Sequence, residues 1–162
     1  MHGQDRRYHH PVIGLNGRLD TLQAAVLLAK LEVFDAELLA RQRVADRYKS
    51  ALAGVVRTPT LLPGNTSVYA QYTIEVDERG LFVAELKKDG IPTAVHYPLP
   101  LNLQPAFASL QKGPGSYPHS EAAARHVVSL PLHPYLQEPD QFRICESVKA
   151  AAVSRCAVQT TS

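Results

Sequence analysis

The chain has 162 residues, 45% of them hydrophobic, and a formal net charge of +2 from 17 basic and 15 acidic side chains. This length and apolar content predict one compact domain with a core and leave no room for a second full domain. The basic residues are spread along the chain, which argues against nucleic acid as the main partner. No stretch approaches the roughly 20 apolar residues of a membrane-spanning helix, and the first residues do not resemble a signal peptide. We therefore expect a cytoplasmic protein that does not insert into a membrane.

The first part of the chain is predicted to be an arm followed by a long helical unit. Residues 1–18 contain proline and glycine but no apolar period, so they predict a loop or arm. Asp20 followed by Gln23 is typical of a helix start, and no glycine or proline follows before Gly54. Because this unit exceeds the usual helix length, we expect a break near Phe34–Asp35, with Asp35 capping the second helix.

The rest of the chain alternates short strands with helices. Period-two alternation of apolar and polar residues marks the strands, and helical composition bounded by glycine or capping residues marks the helices. The predicted strands are Tyr69–Val76, Thr93–Tyr97 and Ser129–Leu132, and the predicted helices are Arg79–Asp89, Ser120–Val128 and Glu138–Ala151, with a short helical turn at Ala106–Leu110.

This order of elements predicts an α+β fold in which helices cover a small, mainly antiparallel sheet. The predicted organisation is an arm over residues 1–18, a long helical unit over 19–53 and a small α+β domain over 54–152. Residues 153–162 are predicted to be a frayed tail.

Two clusters carry side chains suited to ligand binding. The segment Gly14–Arg18 lies directly before a helix start. Backbone amides, the side-chain amide of Asn16 and the helix dipole there suit an anion such as phosphate. Arg18 could bind a phosphate or carboxylate through two parallel hydrogen bonds. The same residues are also ordinary in turns. His96 and Tyr97 lie at a predicted strand end and suit a polar ligand, although half-buried packing would equally explain Tyr97 and a satisfied surface position would explain His96.

The spacing of histidines and cysteines predicts neither a metal site nor a disulfide. His9 and His10 are adjacent and rarely share a metal, and no His-x3-His or Cys-x2-Cys pair is present. We expect no metal site. Cys145 and Cys156 match neither a zinc spacing nor a secreted disulfide framework, so both are predicted to be free thiols in a reducing compartment.

Motifs along nearly the whole chain resemble the DegT/DnrJ/EryC1/StrS family of pyridoxal phosphate (PLP)-dependent sugar-nucleotide aminotransferases. They occur in the family's order and at its spacing. The matching segments are Tyr8–His10, Ile13–Asp20, Leu22–Ala25, Phe34, Arg41–Gln42, Tyr48, Tyr69–Tyr72, Gly90–Pro92, Val95–Pro98, Gln104–Phe107 and Ser129–Pro134.

The resemblance implies the small C-terminal domain of an aspartate-aminotransferase-type fold, in a homodimer whose active sites lie at the subunit interface. Asn16 matches the family's asparagine that contacts the phosphate of the partner subunit's PLP. Arg18 matches an arginine near the nucleotide-sugar substrate. His96 and Tyr97 match a pair that lines the sugar pocket.

The implied reaction moves an amino group from glutamate to a nucleotide-linked keto-sugar in surface-polysaccharide or amino-sugar biosynthesis. The forms of Val95–Pro98 and Gln104–Phe107 are most similar to enzymes acting at C3 of a UDP-linked sugar, including a 3-keto hexuronic acid. The family's cofactor-binding lysine has no counterpart here, so we expect no catalytic residue in this chain and no activity from it alone. The alternative is a non-catalytic binding, dimerisation or regulatory module derived from the same family.

Overall fold

A computed structural model describes residues 3–159, with side chains described as far as Val153. Within them the chain forms two compact units. The first comprises the residues up to Glu32 together with His96–Arg125, and the second comprises Val33–Val95 together with the residues from His126. The division of the chain at residues 18, 53 and 152 stays a prediction.

The first two helices begin and end near the predicted positions. Helix α1, Thr21–Leu31, is capped by the Asp20 carboxylate, which accepts hydrogen bonds from the amides of Leu22 at 2.9 Å and Gln23 at 3.3 Å. Helix α2, Phe34–Ala51, follows after the predicted break. The prediction that Asp35 caps α2 is wrong. The cap position is Val33, which supplies no side-chain hydrogen bond, and Asp35 instead lies in the first turn, where its charge favours the helix dipole.

The sheet consists of two short antiparallel strands, β1 at Tyr72–Glu75 and β2 at Val127–Leu130. Tyr72 pairs with Leu130 and Thr73 with Ser129, whose hydroxyls are 2.8 Å apart. Strand β1 is shorter than predicted, and strand β2 begins and ends two residues earlier than predicted. Tyr69 has a left-handed backbone with φ of 43°, so it cannot extend β1, and Pro131 has no amide to extend β2.

The predicted strand Thr93–Tyr97 is wrong as a strand. Only Ala94 pairs with the sheet, donating to the Ser129 carbonyl at 3.2 Å and accepting from the Ser129 amide at 2.7 Å. Pro92 and Pro98 flank this segment and lack the amides that longer pairing needs. His96 and Tyr97 therefore follow a single bridge rather than a strand end.

The remaining helices differ from the prediction mainly at their ends. Helix α3 is Arg79–Lys88 and helix α4 is Pro118–His126, which starts and stops two residues earlier than predicted. Helix α5 begins at Glu138 as predicted but continues to Gln159, so residues 153–159 are helical rather than a frayed tail. Two 3₁₀ turns at Leu101–Leu103 and Pro105–Leu110 complete the described elements.

The hydrophobic core lies in the second unit, where α5 packs against α2 and α3, and α3 packs against β2. A buried polar contact joins α5 to α2. The Gln141 amide donates to the Val44 carbonyl at 2.7 Å and accepts from the Arg47 Nε at 2.6 Å. This arrangement of helices and a two-stranded antiparallel sheet confirms the predicted α+β fold class. The largest fully buried side chains are Tyr48, Tyr72, Phe82, Leu52, Ile74, Leu86, Val44, Val128 and Val148.

Candidate functional site

All four predicted site residues belong to the first unit. Asn16 and Arg18 lie in the loop before α1, and both are exposed. His96 and Tyr97 open the second segment of that unit. His96 is half-buried, whereas Tyr97 is 59% exposed. The structure thus places in one compact unit two pairs of residues that are far apart in the sequence.

The loop before α1 carries donors suited to a phosphate. The Asp20 carboxylate already occupies the first free amides of the helix and places a negative charge at that end. Anion binding in this loop therefore depends on the Asn16 amide and the Arg18 guanidinium rather than on the helix dipole. A carboxamide donor and a guanidinium together fit the chemistry of the PLP phosphate and of a diphosphate.

The Tyr97 ring contacts the rings of Tyr8 in the arm and of the neighbouring His96. The rings of Tyr97 and Tyr8 meet edge to face at a centroid distance of 5.6 Å, and the His96 ring lies 5.4 Å from the Tyr97 ring. The Arg7 guanidinium lies 5.0 Å from the centre of the Tyr8 ring and donates to the Tyr8 hydroxyl at 3.2 Å. The sequence singled out Tyr8 only as part of a motif. Its contact with Tyr97 has no local signal in the sequence.

The loop after the second 3₁₀ turn is organised by one carboxylate. Glu121 accepts from the Gly115 amide at 2.9 Å, the Tyr117 amide at 3.3 Å and the Asn102 side chain at 3.4 Å. These bonds, above all the one from Gly115, hold the pKa of the Glu121 carboxyl below its ordinary value. No pattern in the sequence identified Glu121 as the side chain that shapes this loop.

Large apolar side chains are exposed along the loop of Asn16 and Arg18 and along α1. No residue of α1 is buried, and Leu15 and Leu19 are 89% and 81% exposed. So many large exposed apolar side chains close together in the sequence are uncommon on a free monomer and point to an interaction site. The exposed apolar residues are Val12, Ile13, Leu15, Leu19, Leu22, Val26, Leu27, Leu28 and Leu31, and we call them the arm–α1 surface.

The second unit offers a separate open groove of about 450 Å³. Arg57 in its wall is paired with Glu75 at 2.6 Å, so its charge is already balanced. The sequence did not predict this groove. Its other lining residues are Thr58, Pro59, Thr60, Leu61, Ser67, Tyr69, Gln71 and Thr73.

Several other titratable groups have ordinary surroundings. Lys88 pairs with Glu85 and Lys149 with Glu146, each on a helix surface. Cys145 is a buried free thiol whose pKa is raised by burial, and the side chain of Cys156 lies outside the described residues. Among the described side chains, which end at Val153, no cluster of three His, Cys, Asp or Glu residues could hold a metal ion. From residue 3 to residue 159 no helix is both long and apolar enough to cross a membrane.

Comparison with known proteins relates this arrangement to one enzyme family. The sequence profile of the DegT/DnrJ/EryC1/StrS aminotransferase family matches residues 1–149. The UDP-2-acetamido-2-deoxy-3-oxo-D-glucuronate aminotransferase of Pseudomonas aeruginosa is 51% identical over 91% of this chain and 40% of its own length.

Two solved structures share the fold over most of the chain. The crystal structure of a DegT DnrJ EryC1 StrS aminotransferase from Brucella abortus is 42% identical, with a TM-score of 0.76 over 93% of this chain and 40% of its own. The crystal structure of S. venezuelae DesV in complex with a ketimine intermediate is 36% identical, with a TM-score of 0.80 over 93% of this chain and 41% of its own.

The chain therefore spans about two fifths of the length of the relatives it matches. The family's motifs and fold extend over nearly all of this chain. By sequence and by fold, it belongs to the DegT/DnrJ/EryC1/StrS aminotransferase family.

Proposed function

We propose that this chain is the C-terminal part of a PLP-dependent aminotransferase that moves an amino group from glutamate to C3 of a UDP-linked keto-sugar. The observation that carries the proposal is the 51% identity to an aminotransferase of a UDP-linked 3-oxo-glucuronate. The Val95–Pro98 and Gln104–Phe107 motifs, which are most similar to C3-aminating enzymes, point the same way.

Each site residue has a proposed role in binding. The Asn16 amide donates a hydrogen bond to the phosphate of the partner subunit's PLP, and Arg18 binds an anionic group of the nucleotide sugar. His96 and Tyr97 line the sugar pocket, where their polar atoms orient the hydroxyl groups. The bound cofactor would supply the chemistry that carries the amino group from donor to acceptor. The exposure of Asn16, Arg18 and Tyr97 supports these roles, because each side chain can reach a ligand beyond its own unit.

The arm–α1 surface supports a role within a larger assembly. Its side chains are 56–89% exposed, so other protein surface is required to cover them. We propose that the rest of the enzyme chain and a second copy in a homodimer cover it. On this account the 162-residue chain alone neither transaminates nor retains PLP covalently.

A subunit-mixing experiment tests the role of Asn16 across the dimer. One variant of the complete enzyme carries Asn16→Ala, and the other lacks the cofactor-binding lysine that we place outside this chain. If Asn16 serves the partner's cofactor, each mixed dimer contains one intact site, and random mixing restores about a quarter of the unmodified activity. Activity no higher than that of the Asn16→Ala enzyme in the mixture would place Asn16 in its own subunit's site.

Adding PLP to the 162-residue chain tests its dependence on the rest of the enzyme. We expect the added PLP to be lost on dialysis. Retention that borohydride fixes at a single lysine would contradict the proposal that the cofactor-binding lysine lies elsewhere.

A further inference from the structure

The turn at residues 5–10 of the arm is built around a backbone conformation that tyrosine rarely adopts. Tyr8 has a φ of 63°, in the left-handed region. For a bulky residue this conformation costs on the order of 1–2 kcal/mol and persists only where surrounding contacts hold it. The His9 amide donates to the Arg6 carbonyl at 2.9 Å, and the His9 ring lies 2.6 Å from the Asp5 carboxylate. These contacts lie within the turn itself and do not attach it to the rest of the unit.

The side chain of Gln104 makes that attachment. Its Nε2 donates to the Tyr8 carbonyl at 3.0 Å, and its Oε1 accepts from the His10 amide at 3.0 Å. One carboxamide thus binds the backbone on both sides of His9, directly after the left-handed residue. The Ala106 amide adds a third bond by donating to the His10 carbonyl at 2.9 Å. Gln104 is only 5% exposed, so water competes little with these bonds and their loss would leave buried polar groups unpaired.

The attachment fixes the arm beside the proposed sugar site. Gln104 lies in the same segment of the first unit as His96 and Tyr97. Holding the Tyr8 backbone there places the Tyr8 ring against the Tyr97 ring at 5.6 Å. An exposed aromatic side chain such as Tyr97, at 59% exposure, would otherwise be free to change rotamer.

We propose that Gln104 is a positioning residue of the sugar site, which holds the arm turn so that Tyr8 packs against Tyr97 and fixes the orientation of the Tyr97 ring. The attachment stands on the geometry alone, whereas its effect on substrate binding rests on the proposed function. In the proposed arrangement Gln104 contacts neither cofactor nor substrate. It acts only through Tyr8 and Tyr97.

Nuclear magnetic resonance of the 162-residue chain tests the attachment. In Gln104→Asn the amide is one methylene too short to reach both backbone groups, so we expect exchange of the His10 amide to become at least roughly tenfold faster. The ring resonances of Tyr8 and Tyr97 should shift, while amides of the Tyr72–Glu75 strand keep their protection. Gln111→Asn is the matched control, since Gln111 is exposed and already left-handed, a conformation that asparagine tolerates. An unchanged His10 amide in Gln104→Asn would overturn the proposal, and so would equal loss of protection in the strand.

Steady-state kinetics of the complete enzyme tests the effect on the site. Gln104→Asn is expected to raise KM for the nucleotide sugar roughly tenfold and to leave KM for glutamate unchanged, because only the sugar contacts the Tyr97 ring. Gln111→Asn should change neither. Equal KM values for the sugar in Gln104→Asn and the unmodified enzyme would overturn the positioning role. Absence of transamination by the unmodified enzyme would instead contradict the proposed function and leave the exchange result standing as the test of the attachment.

Discussion

Two buried tyrosines in the core of the second unit differ in how their hydroxyls are satisfied. The rings of Tyr48 and Tyr72 lie 4.9 Å apart. The Tyr48 hydroxyl donates to the Pro131 carbonyl at 2.8 Å. The Tyr72 hydroxyl is buried without a well-formed hydrogen bond, although the Thr58 side chain approaches it. Burial raises the pKa of Tyr48 and raises that of Tyr72 to about 12, so both hydroxyls keep their protons at neutral pH.

This difference predicts unequal effects of the same substitution on stability. Tyr48→Phe leaves the Pro131 carbonyl unpaired and should lower the free energy of unfolding by about 1 kcal/mol. Tyr72→Phe removes a hydroxyl that is poorly satisfied and should change the free energy of unfolding by roughly zero. Urea unfolding of the two variants measures both values. A larger loss for Tyr72→Phe than for Tyr48→Phe would show that the hydrogen bonds are assigned wrongly.

Substitutions of Asn16 and of His96 should have different effects on PLP retention and on sugar binding. A hydrogen bond to a charged phosphate contributes about 1.5–3 kcal/mol, so Asn16→Ala should weaken PLP retention by roughly tenfold or more in the complete enzyme. His96→Ala should affect PLP retention less and KM for the sugar more. Equilibrium dialysis measures the first quantity and steady-state kinetics the second. The reverse order of PLP retention would contradict the proposed roles of both residues.

At the scale of elements, the Gly115–Tyr117 loop depends on a single ionised carboxyl. The pKa of Glu121 is lowered in the folded chain, so the bonds contribute fully above its ordinary value of 4.5 and are lost as pH falls through the lowered pKa. The amide shifts of Gly115 and Tyr117 should therefore stay constant from neutral pH down to about 4.5 and change only below it. A transition above pH 4.5 would show that Glu121 is not held ionised by these amides.

A neutral side chain at the same position gives a second test of this loop. Glu121→Gln keeps one carbonyl oxygen but cannot accept with two charged oxygens, so exchange of the Gly115 amide should become roughly tenfold faster at neutral pH. Glu85→Gln is the matched control, because Glu85 is a surface carboxylate that accepts from Lys88 on α3 rather than from the loop. Equal exchange rates in the two variants would argue against the role of Glu121.

Side chains close together in the sequence were sufficient to predict some helices and strands and insufficient to predict others. The Asp20 cap follows from side chains within a few residues of each other. The break between α1 and α2 was predicted from the length of the helical unit, and its capping residue was predicted wrongly. The strand predicted at Thr93–Tyr97 has suitable composition, but the prolines on either side leave it one paired residue. The end of α5 was misjudged because no proline or glycine marks it. Alternation of apolar and polar side chains thus predicts which residues suit a strand but not which of them pair with a neighbouring strand.

The candidate site shows the same limit over longer distances. Asn16, Arg18, His96 and Tyr97 could be singled out because they lie in motifs of a known family. The bonds of Gln104 to Tyr8 and His10 join residues 96 and 94 positions apart, so no local period reveals them. Tertiary packing, rather than propensity, decides such contacts.

At the scale of the whole molecule, the arm–α1 surface predicts how the isolated chain behaves. An apolar dye should bind the 162-residue chain strongly, since residues such as Leu22 and Leu28 are 79% and 68% exposed on one helix. Replacing both with glutamate should reduce dye fluorescence severalfold. Leu39→Glu is the control, because Leu39 is 63% exposed on α2, outside this surface, and should change little. A large effect of Leu39→Glu alone would argue against the arm–α1 surface as the main exposed apolar site.

We propose that this chain is part of an enzyme that aminates a nucleotide-linked keto-sugar. The most direct measurement supplies the complete enzyme with PLP, ¹⁵N-glutamate and a UDP-linked 3-keto-sugar, and follows the nitrogen by mass spectrometry. We expect ¹⁵N at C3 of the sugar and a sharp rise in KM for the sugar when His96 or Arg18 is replaced by alanine. PLP-loaded enzyme that transfers no ¹⁵N to any nucleotide-linked keto-sugar would contradict the proposal.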